Sequence, residues 1–172
     1  QAAKLGKSVA LVERREVLGG VCLNTGTIPS KSLREAVLYL SGFHQRGLYG
    51  QSYRVKQDIT IDDLAFRTNH VIAREIEVIR NQLARNHVAM IVGEASFVDP
   101  HRVRIRQARE TVEHTADFVV VAVGTTPARP AHIPFDDVRV IDTDGLLRLT
   151  RLPQSITIIG GGVIGSEYAS IL

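Results

Sequence analysis

The stretch from Gly19 to Lys31 (GGVCLNTGTIPSK) constrains the fold more than any other part of the sequence. Its paired glycines permit positive φ angles or a close approach of the backbone to a ligand. Thr27 and Ser30 are suited to capping a helix, and Pro29 to its first turn. Apolar residues then follow at helical spacing. A glycine-rich loop that leads into a helix N-terminus predicts a binding site for negative charge.

Lys31 lies in the predicted first turn of this helix. A cation there opposes the helix dipole, so its position is unfavourable unless the side chain has another role. The sequence therefore indicates that Lys31 serves a ligand or an acidic partner.

An apolar run before this stretch, Ser8–Val12, predicts a buried parallel strand that ends at Glu13. In a dinucleotide-binding unit, a carboxylate at this point accepts hydrogen bonds from both ribose hydroxyls. A solvated glutamate at a strand end is the alternative. The glycine loop and helix that follow directly favour the ribose role.

The rest of the sequence alternates between helical and strand patterns. Apolar periodicity predicts helices over residues 29–41 and 61–86, and an antiparallel meander with one wet face follows. Residues 88–92 predict one buried strand. The three strands of the meander are predicted at 95–98, 102–106 and 111–115.

Two later apolar runs are each followed by glycine. Asp117–Val123 is the most apolar and predicts a central strand, ended by Gly124. Ser155–Ile159 predicts another buried strand, and Gly160–Gly165 (GGGVIG) opens a helix after it. A strand, a GxGxxG turn and a helix in this order are typical of a dinucleotide fold.

Composition limits the functional classes. The chain has 44% hydrophobic and 23% charged residues and a net charge of +3, with basic residues scattered among acids. We therefore expect a globular protein with no nucleic-acid partner, no membrane span and no signal peptide. The lone cysteine fits a reducing cytoplasm, and the six histidines lack metal-ligand spacing.

The stretch from Gly19 to Lys31 resembles the GGxCxxxGCxPSK redox loop of the FAD-dependent pyridine nucleotide-disulfide oxidoreductases. Cys22 matches the first cysteine, but Thr27 stands at the second. The resemblance continues through Ala122–Pro127 to the end of the chain. It implies an α/β fold: a Rossmann-like FAD-binding domain with a parallel sheet, a long helical excursion and an antiparallel meander, followed by the start of a second Rossmann-like domain.

The resemblance also implies a domain division, with an FAD-binding domain over 1–147 and the beginning of an NAD(P)-binding domain over 148–172. Neither terminus resembles a domain boundary, so we expect an internal fragment. The expected missing parts are a first strand with its GxGxxG, the rest of the nicotinamide domain, and a C-terminal domain through which the protein forms a homo-oligomer.

The resemblance assigns residues to cofactors. Lys31 is expected near flavin N5, where it tunes the ring, and Glu167 is expected to pair with it across the domain junction. Ala95 is expected to contact adenine through its main chain, because the family places backbone groups after the glycine at position 93 near this base. The alternative is that Gly93 only turns the chain between two strands. The remaining expected cofactor contacts are Glu13, Arg14, Arg15, Glu16, Val17, Leu18, Gly19, Gly20, Val21, Cys22, Thr27, Gly124, Gly160, Gly162 and Gly165.

Thr27 bears on the reaction, because a hydroxyl cannot carry the redox chemistry of a thiol. The resemblance then implies hydride transfer between NADP(H) and NAD(H) through FAD, that is, NAD(P)(+) transhydrogenase activity of the Si-specific type. Cys22 is expected to be a packed residue and not a nucleophile. The alternatives are a flavin-dependent NAD(P)H:quinone reductase, a dihydrolipoamide dehydrogenase-like enzyme, and a non-catalytic nucleotide-binding fragment.

Overall fold

A computed structural model describes residues 1–172, which form two compact units. The first comprises residues 1–20 and 75–124, and the second comprises residues 21–74 and 125–172. Each unit has its own buried residues. The predicted division at residues 147 and 148 stays a prediction.

A short parallel sheet lies in the first unit. Strand β1 (Ala10–Glu13) pairs with β2 (Ala89–Val92), and Glu13 lies opposite Val92. Both strands occur close to where the sequence predicts them, but the prediction that they are buried is wrong, because most of their side chains are exposed. A two-stranded parallel sheet gives each strand a single neighbour, so neither is enclosed as a central strand would be.

An antiparallel meander follows β2, as predicted. It consists of β3 (Glu94–Asp99), β4 (Arg102–Arg106) and β5 (Thr111–Thr115), with β4 in the centre. Ile105 in the central strand is almost completely buried. Charged side chains alternate with the apolar ones on β4, which is typical of a sheet with one wet face.

The second unit is mainly helical. Its two longest helices agree closely with the two long helices predicted from the sequence, and three of the others are single turns. A 3₁₀ turn, Phe43–Gln45, lies directly before one of these single turns. The helices are α1 (Gly20–Asn24), α2 (Thr27–Leu40), α3 (Arg46–Tyr49), α4 (Ile61–Arg85, whose last part belongs to the first unit), α5 (Thr143–Leu146) and α6 (Val163–Ile171).

The core of the second unit joins three of these helices. Leu33 and Ala36 on α2 pack with Leu64 on α4 and with Tyr168 and Ile171 on α6. Each of these side chains is at least nine-tenths buried. Hydrophobic burial of this kind fixes α2 and α6 against each other, which determines what their polar faces can contact.

Two predicted strands do not form. Residues 117–123 and 155–159 have no strand pairing, and Phe118 and Val120 are 90% and 87% exposed. A strand needs a hydrogen-bonding neighbour, and no other strand of this chain pairs with either segment. The helix predicted after the second segment is present as α6, so the predicted second Rossmann-like unit is represented by this helix alone.

Candidate functional site

Glu13 is the last residue of β1, and its carboxylate is oriented by the main chain. The backbone N–H of Arg15 donates a hydrogen bond to Glu13 Oε1 at 3.1 Å. A carboxylate has about four acceptor sites, so the group can accept further hydrogen bonds beside this one. A half-buried, acceptor-only group at a strand end has the chemistry needed to bind ribose hydroxyls.

A cavity of about 590 Å³ opens at the carboxyl ends of the two parallel strands. Nucleotides characteristically bind beyond this end of a parallel sheet, and the volume lies within the range of small-molecule sites. Three arginines and two glutamates give the cavity a positive excess. Its walls are Arg14, Arg15 and Glu16 after β1, Val92, Gly93 and Glu94 around the end of β2, and Arg106, Gln107 and Ala108 after β4.

The two glycines that follow Leu18 have the positive φ angles that the sequence predicts. Gly19 and Gly20 have φ angles of +99° and +54°. Val17 is exposed, but Leu18 is only 2% exposed, so its side chain belongs to the protein interior. The expected contact of Leu18 with a cofactor stays a prediction, and with the side chain enclosed by protein it would have to be made by the main chain.

Helix α2 begins at Thr27, after Gly26 at its N-cap. Neither Thr27 nor Ser30 caps the helix, contrary to prediction, because Thr27 is already helical and the Ser30 hydroxyl donates to the Thr27 carbonyl at 3.2 Å. Gly26 instead donates its N–H to the Val21 carbonyl at 2.6 Å. Thr27 is left exposed at the start of the helix, where a ligand can reach it.

Lys31 is the fifth residue of α2, because the helix begins at Thr27 and not at residue 29 as predicted. It therefore lies just beyond the first turn. Its ammonium group donates a hydrogen bond to Glu167 Oε1 on α6. Both residues lie within the second unit. The contact joins a residue of segment 1–147 to one of segment 148–172, and the expected domain junction between these segments stays a prediction. The Lys31 side chain is 60% exposed and that of Glu167 is 19% exposed. The pair therefore leaves the ammonium group open to a ligand while holding it in place.

Cys22 lies on α1 and is an exposed free thiol. Protein side chains do not cover this thiol, and the prediction that Cys22 packs near the cofactor stays a prediction. Adjacent residues on a helix point about 100° apart, and here Leu23 takes the buried position.

The glycine motif at the start of α6 has the geometry that the fingerprint needs. Gly162 is the N-cap of α6, and Gly160 has a φ of +114°. A Cβ at Gly165 would lie 2.2 Å from the carbonyl oxygen of Gly160. Only glycine permits this close approach, which is the packing role of the third glycine in the motif.

The other expected contacts do not line the 590 Å³ cavity. Ala95 lies in β3 beside a smaller cavity of about 350 Å³. Gly124 has a φ of +72° and follows the unpaired segment 117–123. Of the expected contacts, the structure thus gathers residues 14–16 at one cavity and Thr27, Lys31 and Glu167 around the start of α2 and α6.

The sequence analysis missed the third wall of the 590 Å³ cavity, which Arg106, Gln107 and Ala108 form. These residues follow an ordinary amphipathic strand and belong to no motif. Only the pairing of β3 with β4, in which Glu94 lies opposite Arg106, brings them to the end of β2.

No group of three or more histidine, cysteine, aspartate or glutamate side chains is arranged to hold a metal ion. None of the helices has the length and apolar character needed to cross a membrane.

Sequence comparison places the chain among known flavoenzyme relatives. The sequence profile of the pyridine nucleotide-disulphide oxidoreductases matches residues 1–172. Soluble pyridine nucleotide transhydrogenases of Mycobacterium bovis and Mycobacterium tuberculosis are 58% identical over 172 residues, which is 99% of this chain and 37% of theirs. The enzyme of Colwellia psychrerythraea is 42% identical over 170 residues, 98% of this chain and 36% of its own. The chain thus spans somewhat more than a third of these relatives.

Solved structures agree with the sequence comparison. The HOCl-induced flavoprotein disulfide reductase RclA of Escherichia coli superposes with a TM-score of 0.78 at 28% identity, over 98% of this chain and 35% of RclA. LpdA of Mycobacterium tuberculosis, at 23% identity and a TM-score of 0.72, covers 87% of this chain and 33% of its own, and shares the fold. The cavity after β1, the helix that carries Lys31 and a family profile that matches the whole length lead to one conclusion: this chain belongs to the pyridine nucleotide-disulphide oxidoreductase family.

Proposed function

We propose that the full-length protein is a flavoprotein that transfers hydride between NADP(H) and NAD(H), an NAD(P)(+) transhydrogenase of the Si-specific type, without a redox disulfide. The transhydrogenase names of the relatives at 58% and 42% identity support this assignment. The quinone reductase alternative differs from it in the electron acceptor, and the dihydrolipoamide dehydrogenase-like alternative would exchange electrons with a dithiol substrate. Location in the cytoplasm and homo-oligomerisation are part of the same proposal.

FAD is the cofactor implied by family membership, with NAD(P)H as substrate. The residues present fit it. The carboxylate of Glu13 offers an acceptor for ribose, and the 590 Å³ cavity beside it has the size and positive excess for an adenine nucleotide. When bound, FAD supplies the site at which hydride is accepted and then released.

The chain's own residues would bind and orient the two ends of this cofactor. Glu13 accepts from ribose hydroxyls, and Arg14 and Arg15 supply positive charge on the adenosine side. Lys31 places a cation where negative charge develops on a reduced ring, which favours electron transfer to it. Glu167 holds the Lys31 ammonium group in position, since it accepts its hydrogen bond.

The observation that carries the proposal is that Thr27 lies exposed at the start of α2 in a chain with a single cysteine. The family pattern places a second sulfur at this position. Thr27 cannot form a disulfide with Cys22, so a pair of electrons has no dithiol to enter in this part of the protein. The electrons then leave from the flavin itself, to another nicotinamide, a quinone or oxygen, and the proposal takes the nicotinamide.

Counting electrons tests this assignment. The full-length protein is titrated anaerobically with NADH, and flavin absorbance is followed. We expect two electrons per FAD, and transfer from NADH to an NADP⁺ analogue faster than to a quinone or to lipoamide. In the matched variant Thr27→Cys, which restores a sulfur opposite Cys22, we expect four electrons per FAD. Uptake of four electrons by the wild type, or rapid lipoamide reduction, would contradict the proposal.

A further inference from the structure

We propose that Arg106, held by Glu94, binds the adenosine half of the dinucleotide, so that the antiparallel meander forms the third wall of the adenosine site. This inference rests on the proposed function, because it takes the 590 Å³ cavity as the adenosine site. The resemblance assigns one meander residue, Ala95 in β3, to adenine. This inference adds a side chain of β4, which no sequence motif assigns to the cofactor.

The end of β4 is fixed against the end of β2. A Cβ built on Gly93 would lie 2.7 Å from Ile105 Cγ2 and 2.9 Å from the carbonyl oxygen of Arg106. The N–H of Gly93 in turn donates to the Glu13 carbonyl at 2.9 Å. Because Ile105 is 1% exposed, β4 is anchored by its interior side chain. Arg106 is thus carried to the cavity by rigid backbone.

The Arg106 side chain is restrained but not covered. Its Nη2 donates to Glu94 Oε2, while 73% of the side chain stays exposed. The turn beyond it is closed by the N–H of Gln107, which donates to the Glu110 carbonyl at 2.8 Å. An ion pair this exposed adds little to stability. Its clearer effect is to hold a planar guanidinium at the cavity wall.

The chemistry of this wall matches a purine. A guanidinium plane stacks on an aromatic base, and a carboxylate such as that of Glu94 accepts a hydrogen bond from an exocyclic amino group. Adenine presents both a flat face and one amino group. Arg14 and Arg15 line the same cavity and have no carboxylate within ion-pair distance, so their charge is also available to a ligand there.

Arg104 provides a matched control on the same strand. It lies two residues before Arg106, on the same face of β4, and donates to Glu113 Oε1 from Nε at 3.0 Å and from Nη2 at 2.8 Å. Arg104 lines the smaller 350 Å³ cavity and not the larger one. Arg106 lines both cavities. A loss of binding in Arg106→Met that Arg104→Met does not share therefore assigns the ligand to the larger cavity.

The experiment uses the full-length protein stripped of FAD. The apoprotein is titrated with FAD and separately with 5′-AMP, which reports on the adenosine half alone. We expect Arg106→Met to bind both ligands about tenfold more weakly than the wild type, because it loses one base-stacking contact. Arg104→Met should bind both as the wild type does. If Arg106→Met does not fold, Arg106→Lys, which keeps the charge but loses the plane, should show most of the same loss.

The outcomes separate the two levels of inference. A wild type that binds no FAD overturns the proposed function and this inference with it. A wild type that binds FAD, with Arg106→Met equal to it or with Arg104→Met equally impaired, overturns this inference alone. Apoprotein unfolding midpoints are compared in parallel, and affinity loss that appears only in a variant with a lowered midpoint counts against a direct contact.

Discussion

The ammonium group of Lys31 on α2 is hydrogen-bonded to the carboxylate of Glu167 on α6, 136 residues later in the chain. Beneath them, Leu33 and Ala36 of α2 pack with Tyr168 and Ile171 of α6. The apolar contact fixes the two helices, and the polar pair fixes one ammonium group near Thr27. The core thereby determines the orientation of a residue that we assign to the flavin.

The first prediction concerns Lys31→Met in the full-length protein. If the ammonium group stabilises negative charge on the reduced ring, flavin reduction by NADH should slow by about 10²-fold. Stability should change by about 1 kcal/mol or less, because the Lys31 side chain is 60% exposed. Stopped-flow absorbance measures the rate. Arg34→Met, one turn further along α2 and paired only with its neighbour Glu35 at 3.9 Å, is the control and should be unaffected.

The second prediction separates Glu167 from direct involvement. Glu167→Gln keeps a hydrogen-bond acceptor but removes the charge that holds Lys31, so flavin reduction should slow less than in Lys31→Met. If Glu167 acts only through Lys31, the double variant should be no slower than Lys31→Met alone. Additive losses in the cycle would instead assign Glu167 a role of its own.

Much of the fold could be predicted because local signals were strong. The periodicity of α4 gave its limits almost exactly, and its start is a capping box, in which the Thr60 N–H donates to Asp63 Oδ2 and the Asp63 N–H to the Thr60 hydroxyl. The failures concern tertiary partners. Residues 117–123 have strand composition, but no strand of this chain pairs with them, and composition cannot supply a neighbour.

The candidate site likewise has parts that the sequence could predict and parts that depend on tertiary contacts. Glu13 and the turn at Gly19 and Gly20 carry motif signals and occur as predicted. The Arg106 wall depends on the register of β3 against β4, which sequence patterns specify only loosely. The exposure of Cys22 depends on which side of a single-turn helix faces the interior, and five residues are too few for periodicity to decide.

The third prediction is a pH dependence at the start of α4. The hydrogen bond from Lys56, followed by those from the Thr60 N–H and hydroxyl, lowers the pKa of Asp63 from 3.8 to about 2. Because the folded-state pKa is depressed, the stabilisation is complete above about pH 4 and is lost as the pH falls towards 2. Protection against amide exchange in the first turn of α4, taken relative to the intrinsic exchange rate at each pH, should fall over that window.

Asp63→Asn is the matched variant for this effect. It keeps an acceptor for Thr60 but cannot titrate, so its exchange in the first turn of α4 should be faster at neutral pH and lack the change between pH 4 and 2. Asp62→Asn, in the same turn and without these contacts, should behave as the wild type. A wild-type profile that stays flat down to pH 2 would contradict the assignment.

The fourth prediction concerns the loop that Arg129 closes. Its guanidinium donates to Asp142 Oδ2 at 2.7 Å, to both oxygens of Asp137, and lies 5.0 Å from the Phe135 ring centroid. Hydrogen bonds from Arg129 lower the pKa of both aspartates. Arg129→Met should accelerate amide exchange over residues 136–142 by about three- to tenfold. Arg139→Met, whose side chain makes none of these contacts, is the control.

The last prediction concerns Tyr168, whose side chain is 3% exposed and whose hydroxyl has no hydrogen-bond partner. Burial, with the charges of Glu167 and Asp144, raises the pKa of this phenol, so it stays neutral. A buried polar group without a partner costs about 1–3 kcal/mol. Tyr168→Phe removes the hydroxyl and keeps the ring, so it should raise the free energy of unfolding by about 1 kcal/mol in the full-length protein. Tyr168→Ala should lower it by about 3–5 kcal/mol, since it empties the core between α2 and α6. Chemical denaturation measures both, and a Tyr168→Phe variant less stable than the wild type would mean that the hydroxyl is hydrogen-bonded in solution.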